Sequence, residues 1–143
     1  EFRRVLFRSK ADSNLVLVDH AVTFSRHTLD GRAWHRAHTG QVGWCAPEVM
    51  RAQALTWLDA GDTASGQQAE AMLEASLRLA RQQGALAWEL RTATSLAQRW
   101  AGGPKGQEGL TLLTQVLARF TEGMDTQDLV RARAVLSMST QAE

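Results

Sequence analysis

The chain has 143 residues, 44% of them apolar and five of them tryptophan, which is enough for a packed core and excludes a disordered segment. One cysteine rules out an internal disulfide and fits a reducing, cytoplasmic setting, and no apolar run nears the roughly 20 residues that cross a bilayer. Setting Glu1 to Ser9 aside takes the 16 basic and 15 acidic residues to 13 and 14, so the formal charge of +1 becomes −1 and gives no argument for direct nucleic acid contact.

Those nine residues, EFRRVLFRS, resemble the in-frame translation of a sequencing-library adapter and carry no weight in the fold. Residues 10–143 then read as one helical domain, a piece of a longer protein. Asp12 or Ser13 caps a predicted helix from Asn14 to about His27, with Leu15, Val18, Ala21, Val22 and Ser25 inward. Val16, Leu17 and Phe24 make it apolar on more than one side, as an inner helix of a stack would be, or a cut end missing its neighbour. From Thr28 to Cys45, Gly31, Gly40 and Gly43 break the period, so a long connection is expected, with Ala33 to His38 forming a helical turn or more.

Pro47 suits the first residue of the next helix, which presents Met50, Ala54, Trp57 and Leu58 on one face with Ala52 and Leu55 beside it, and stops at Gly61. Gly61 to Gln67 reads as a linker. In AEAMLEASLRLARQQGALAWELRTATSLAQRW, two helical stripes meet across Gly84. Ala69, Met72, Leu73, Ser76, Leu77 and Ala80 share one face before it; Leu86, Leu90, Ala93, Ala97 and Trp100 share one after it. Glu74 precedes Arg78 by four residues, the favourable order for an ion pair. So short a link forces an antiparallel αα-hairpin. After Ala101-Gly-Gly-Pro-Lys-Gly106, a helix from Gln107 to Phe120 buries Leu110, Leu113, Val116, Leu117 and Phe120. Gly123 stops it, and Asp125 caps a last helix, Thr126 to about Met138, that buries Leu129, Ala132 and Leu136, with Asp128 at its positive end.

A repeat runs through these helices. A shift of 41 places Ala52 on Ala93, Leu55 on Leu96 and Gly61 on Gly102; a shift of 40 places Ala69 on Gly109 and Leu77 on Leu117. A small residue followed seven later by a core residue lets helices approach closely, the packing logic of solenoids. The expected fold is all-α, a tetratricopeptide-like superhelix of antiparallel hairpins with about five or six helices.

Gly43 to Met138 also resembles a particular bacterial group: the C-terminal tetratricopeptide-like region of large signal-transduction ATPases. The residues that carry the match are Gly43-Trp-Cys-Ala-Pro-Glu-Val49 with Arg51, the hairpin above with its Trp88-Glu-Leu-Arg91, and the closing Phe120 to Leu136. Gly109 departs from the alanine usual in that group, and Thr28 to Gly40 matches little. The resemblance implies a regulatory, protein-interaction segment whose partner is a protein or the upstream domains of the same chain. Those domains would be an ATPase module with an adenylate/guanylate cyclase or a winged helix. Alternatives are the C-terminal part of a cyclase polypeptide, or a free-standing helical adaptor.

Candidate chemistry is sparse. Gly102-Gly-Pro-Lys-Gly106 has the letters of a phosphate loop without its spacing or preceding strand. His20, His27, His35, His38 and Cys45 lack the paired spacing of a structural zinc site, and Cys45 lacks a nucleophile motif. Glu89 lies within about 60° of its helix's apolar stripe, so partial burial and an ion pair with Arg51 or Arg81 are expected. Trp44, Trp57, Trp88 and Trp100 have two readings, the lining of a peptide groove or core packing, and core packing is expected for most of them. No catalytic residue, cofactor or metal site is assigned. Arg91, Ser95, Gln98 and Arg99 point away from their stripe and form the expected partner surface.

Overall fold

A computed structural model of the chain describes residues 19–40 and 43–140, with the side chains of 139 and 140 left aside. Residues 1–9, the cap at Asp12 or Ser13, and Leu15 and Val18 lie outside the described residues. Helix α1 comprises residues 19–24, followed by a 3-10 turn, Arg26–Thr28. Then come α2 (Gly31–His38), α3 (Ala46–Ala60), α4 (Thr63–Gln82), α5 (Leu86–Trp100), α6 (Gly106–Leu117) and α7 (Gln127–Thr140). The chain is all-α, built of stacked hairpins compatible with a tetratricopeptide-like superhelix.

Local chemistry moves several boundaries from where periodicity puts them. The first helix ends at residue 24 rather than His27, because Ser25 turns extended (φ −152°) and its hydroxyl accepts from His27 N. The expected long connection after it contains a two-turn helix: Asp30 caps α2 by accepting from the amides of Arg32 (2.7 Å) and Ala33 (2.9 Å). The expected linker Gly61 to Gln67 shrinks to two residues. Gly61 closes α3 in the left-handed region (φ 78°), and Asp62 accepts from Ser65 N (2.8 Å) to start α4 at once. Pro47 sits second in α3, where no helical amide is needed. Helix α6 stops at Leu117, and α7 starts at Gln127, so Thr126, whose carbonyl accepts from Val130 N, takes the cap position instead of Asp125.

Two apolar clusters hold the stack. The larger joins α4 to α7 through Leu73, Leu77, Leu90, Leu96, Leu113, Val116 and Leu129. The smaller packs Val22 and Ala37 against Cys45, Val49 and Ala52. Helix α3 serves both: of its expected face Ala54 is buried and Trp57 and Leu58 pack half-buried on the larger cluster, while Ala46, Val49 and Ala52 face the smaller one. Phe24 is almost wholly exposed, which departs from the inner-helix reading of that first segment. Both stripes of the α4–α5 hairpin are buried as expected, apart from half-buried Met72 and Leu86. Helix α5 goes further and buries Thr92, Thr94, Ser95 and Leu96 as well, because α3, α4, α6 and α7 all touch it. Ser76, expected as a small spacer, is also a polar node: its hydroxyl donates to Pro47 O (2.7 Å) and meets Thr92 Oγ1 (3.0 Å), tying α3, α4 and α5.

Helices α5 and α6 approach closely at Gly109. A Cβ there would stand 2.9 Å from Ala97 Cα, closer than nonbonded carbons come. Helices α3 and α5 have 15 residues each and start at Ala46 and Leu86, so their register is 40, not the 41 inferred from Ala52 and Ala93. Glu74 does not pair with Arg78; it lies 3.4 Å from Lys105 Nζ, which bonds Glu70 at 2.6 Å and stacks on the Trp100 ring.

Candidate functional site

The middle of α5, the N-terminal turns of α7 and most of one face of α3 line a groove of about 590 Å³, with residues 22–27 forming its remaining wall. Helix position decides its chemistry. Glu48 lies in the first turn of α3, where a carboxylate suits the positive end of the helix. It is 1% exposed, so its charge must be met locally. Arg51, one turn on, grips both its oxygens (Nη2 to Oε1 2.7 Å, Nε to Oε2 2.8 Å). Arg91 of α5 adds a third bond to Oε1 at 3.1 Å.

Arg91 is the hub of the groove. Its Nε donates to Asp128 of α7 (2.7 Å), its Nη1 donates to the Thr23 carbonyl (2.9 Å), and its guanidinium lies 5.0 Å over the Trp88 ring. Burial alone would lower its pKa; the bond to Asp128 and the charge of Glu48 outweigh that and hold it above its usual value. Trp88 in turn stacks on Trp44 (5.7 Å, 25°), and Trp44 meets His20 (5.1 Å). Trp44 is therefore not core as expected: it is 56% exposed. Across the mouth, Arg26 pairs with Asp59 at 2.8 Å.

The four residues expected as one partner surface divide. Arg91 and Ser95 line the groove, but Ser95 is buried; its hydroxyl bonds the Arg91 carbonyl (3.1 Å) and accepts from Arg51 (3.3 Å). Gln98 and Arg99 are exposed further along α5, outside the groove, with Arg99 reaching α4 near Gly66. Sequence reasoning missed Glu48, Arg51, Asp128 and Arg131 as groove residues. A signal was present: Arg51, Arg91 and Arg131 are spaced 40 residues apart, the register of the hairpins, and all three line the groove.

Glu89 lies outside this groove and is 2% exposed. Its oxygens take Arg81 (2.8 Å) and Arg119 (2.6 Å); Arg51, the other expected partner, is held by Glu48. Cys45 is buried, and burial, reinforced by the Asp19 charge, pushes its thiol from 9.0 up to about 11. The glycine-rich stretch after Trp100 is an interhelical turn, closed by bonds from Gly103 N to Trp100 O and Gly106 N to Gly103 O. His38 lies tilted against the Trp34 ring, and no three His, Cys, Asp or Glu residues come together as a metal would need among the described residues. No described helix is long and apolar enough to cross a membrane.

Comparison of the chain with protein-family models, with curated proteins and with solved structures finds no match in any of the three.

Proposed function

We propose that this chain is a non-catalytic helical-repeat segment that regulates a bacterial signalling ATPase or transcriptional regulator by binding a protein partner. The observation that carries this reading is the groove on α3, α5 and α7. Successive hairpins there present polar side chains to one concavity, which is how solenoids build extended recognition surfaces. Its carboxylates are engaged by guanidinium groups: Glu48 by Arg51 and Arg91, Asp59 by Arg26, Asp128 by Arg91. That is an arrangement for recognition, since a general base needs a carboxylate free to take a proton. A partner held more tightly in one state of the whole polypeptide than in another would shift the population of its upstream switch by that difference in affinity.

Two measurements test this. The purified chain incubated with Mg²⁺ and ATP or GTP should release neither phosphate nor cyclic nucleotide; turnover abolished by a point change within the chain would overturn the non-catalytic reading. In the natural polypeptide, Arg131→Ala should alter the response to inducer, and an unaltered response would remove the groove from the regulatory path. Arg131 is the residue of choice because it is exposed. Arg91, although on the expected surface, bridges three segments, so replacing it would confound binding with stability.

A further inference from the structure

The groove repeats its chemistry with the hairpins, and the repetition is imperfect in an informative way. Arg51, Arg91 and Arg131 stand 40 residues apart, one on each of α3, α5 and α7. Three residues before them stand Glu48, Trp88 and Asp128. In the first hairpin that neighbour, Glu48, is the arginine's own partner. In the second it is an indole, which stacks beneath Arg91 without neutralising it. Arg91 therefore takes the carboxylate of the third unit, Asp128, at 2.7 Å. The last guanidinium in the row, Arg131, is left exposed and without an ion pair among the described residues.

The chain itself shows what the row accepts. The Thr23 main-chain carbonyl receives a bond from Arg91, and residues 22–27 lie along the groove wall. Counting the whole lining, four arginines face three carboxylates. We infer that this row of arginines binds an acidic peptide segment of a partner protein, a side-chain carboxylate of which pairs with Arg131, the guanidinium that the groove's own carboxylates leave over. Neighbouring helices pack about 8–10 Å apart, so the row spans roughly 20 Å, about six residues of extended chain at ~3.3 Å each. This rests on the proposed interaction role. Binding by the purified chain is nonetheless read separately from output of the natural polypeptide, so either can fail alone.

The test is fluorescence anisotropy of labelled hexaglutamate with the 143-residue chain at low ionic strength, with labelled hexalysine as the reference. Hexaglutamate should bind and hexalysine should not. Arg131→Gln should weaken binding about tenfold, the worth of one charge-assisted pair. Arg78→Gln, on the outer face of α4, should leave it unchanged, and thermal melts should show both variants folded. Absence of hexaglutamate binding would overturn the inference. So would an equal loss in both variants, which marks a diffuse field, or displacement of the peptide by inorganic phosphate at lower concentration, which marks a small-anion site.

Discussion

Gly66 and Gly109 both lie inside helices on buried faces, yet replacing each with alanine should have opposite effects. Alanine gains about 0.8–1.0 kcal/mol over glycine in a helix interior. At Gly66 the new Cβ would meet only the end of the Arg99 side chain, at 3.3 Å, which can move aside. Most of the helical gain should survive, so Gly66→Ala is expected to stabilise by about 0.5–1 kcal/mol. At Gly109 the new Cβ would meet Ala97 Cα at 2.9 Å and Trp100 Cε3 at 3.3 Å. The first of these is backbone, and relief requires α6 to lift from α5. Overpacking of this kind costs about 1–3 kcal/mol; less the helical gain, Gly109→Ala should destabilise by about 1 kcal/mol. Adding Ala97→Gly should not rescue it, because the nearest atom is Cα and not Cβ. Urea unfolding followed by far-UV circular dichroism gives both numbers, with an expected spread of about 1.5–2 kcal/mol between the variants. Equal stabilisation by both substitutions would refute the close α5–α6 approach.

Other expectations follow from burial and charge. Leu73→Ala, at 0% exposure, should cost about 2–5 kcal/mol, whereas Arg78→Ala on the solvent face should cost under roughly 0.5 kcal/mol; comparable losses would mean the α4 face is misassigned. Replacing Arg81 and Arg119 together by alanine strands the buried Glu89 carboxylate and should cost about 3 kcal/mol at neutral pH. Chemical denaturation at neutral pH measures that loss. Cys45, with its thiol raised to about 11, should react with a disulfide reagent at pH 8 far more slowly than the unfolded chain does. The same shift makes folding stability from this group complete below pH 9.0 and lost as the pH rises toward about 11, because the unfolded thiol ionises first.

Much of the helical architecture is legible without coordinates. The α4 stripe at Ala69, Leu73, Ser76, Leu77 and Ala80 is buried where a 3.6-residue period puts it, and Gly84 ends the hairpin's first helix through a positive φ (64°). Periodicity and glycine act within a few residues of themselves, so a linear reading reaches them. Capping is just as local, and Asp30 and Asp62 show that it outweighs scattered glycines: each starts a helix in a stretch whose composition suggests a loop.

The groove belongs to the other category. Nothing near Arg91 in the chain announces that Glu48, 43 residues earlier, and Asp128, 37 later, will be its partners. A helical wheel assigns Arg91, Ser95, Gln98 and Arg99 to one face, but α5 is enclosed along only part of its length. Stacking on α3 and α7 draws Arg91, Thr94 and Ser95 into the groove, while Gln98 and Arg99 stay exposed further along the helix. Periodicity alone determined which residues of a helix point the same way. Which faces meet, which charges are buried against each other, and which groove arginine keeps no ion pair among the described residues were decided only by how the hairpins stack, because those are contacts between residues far apart in the chain.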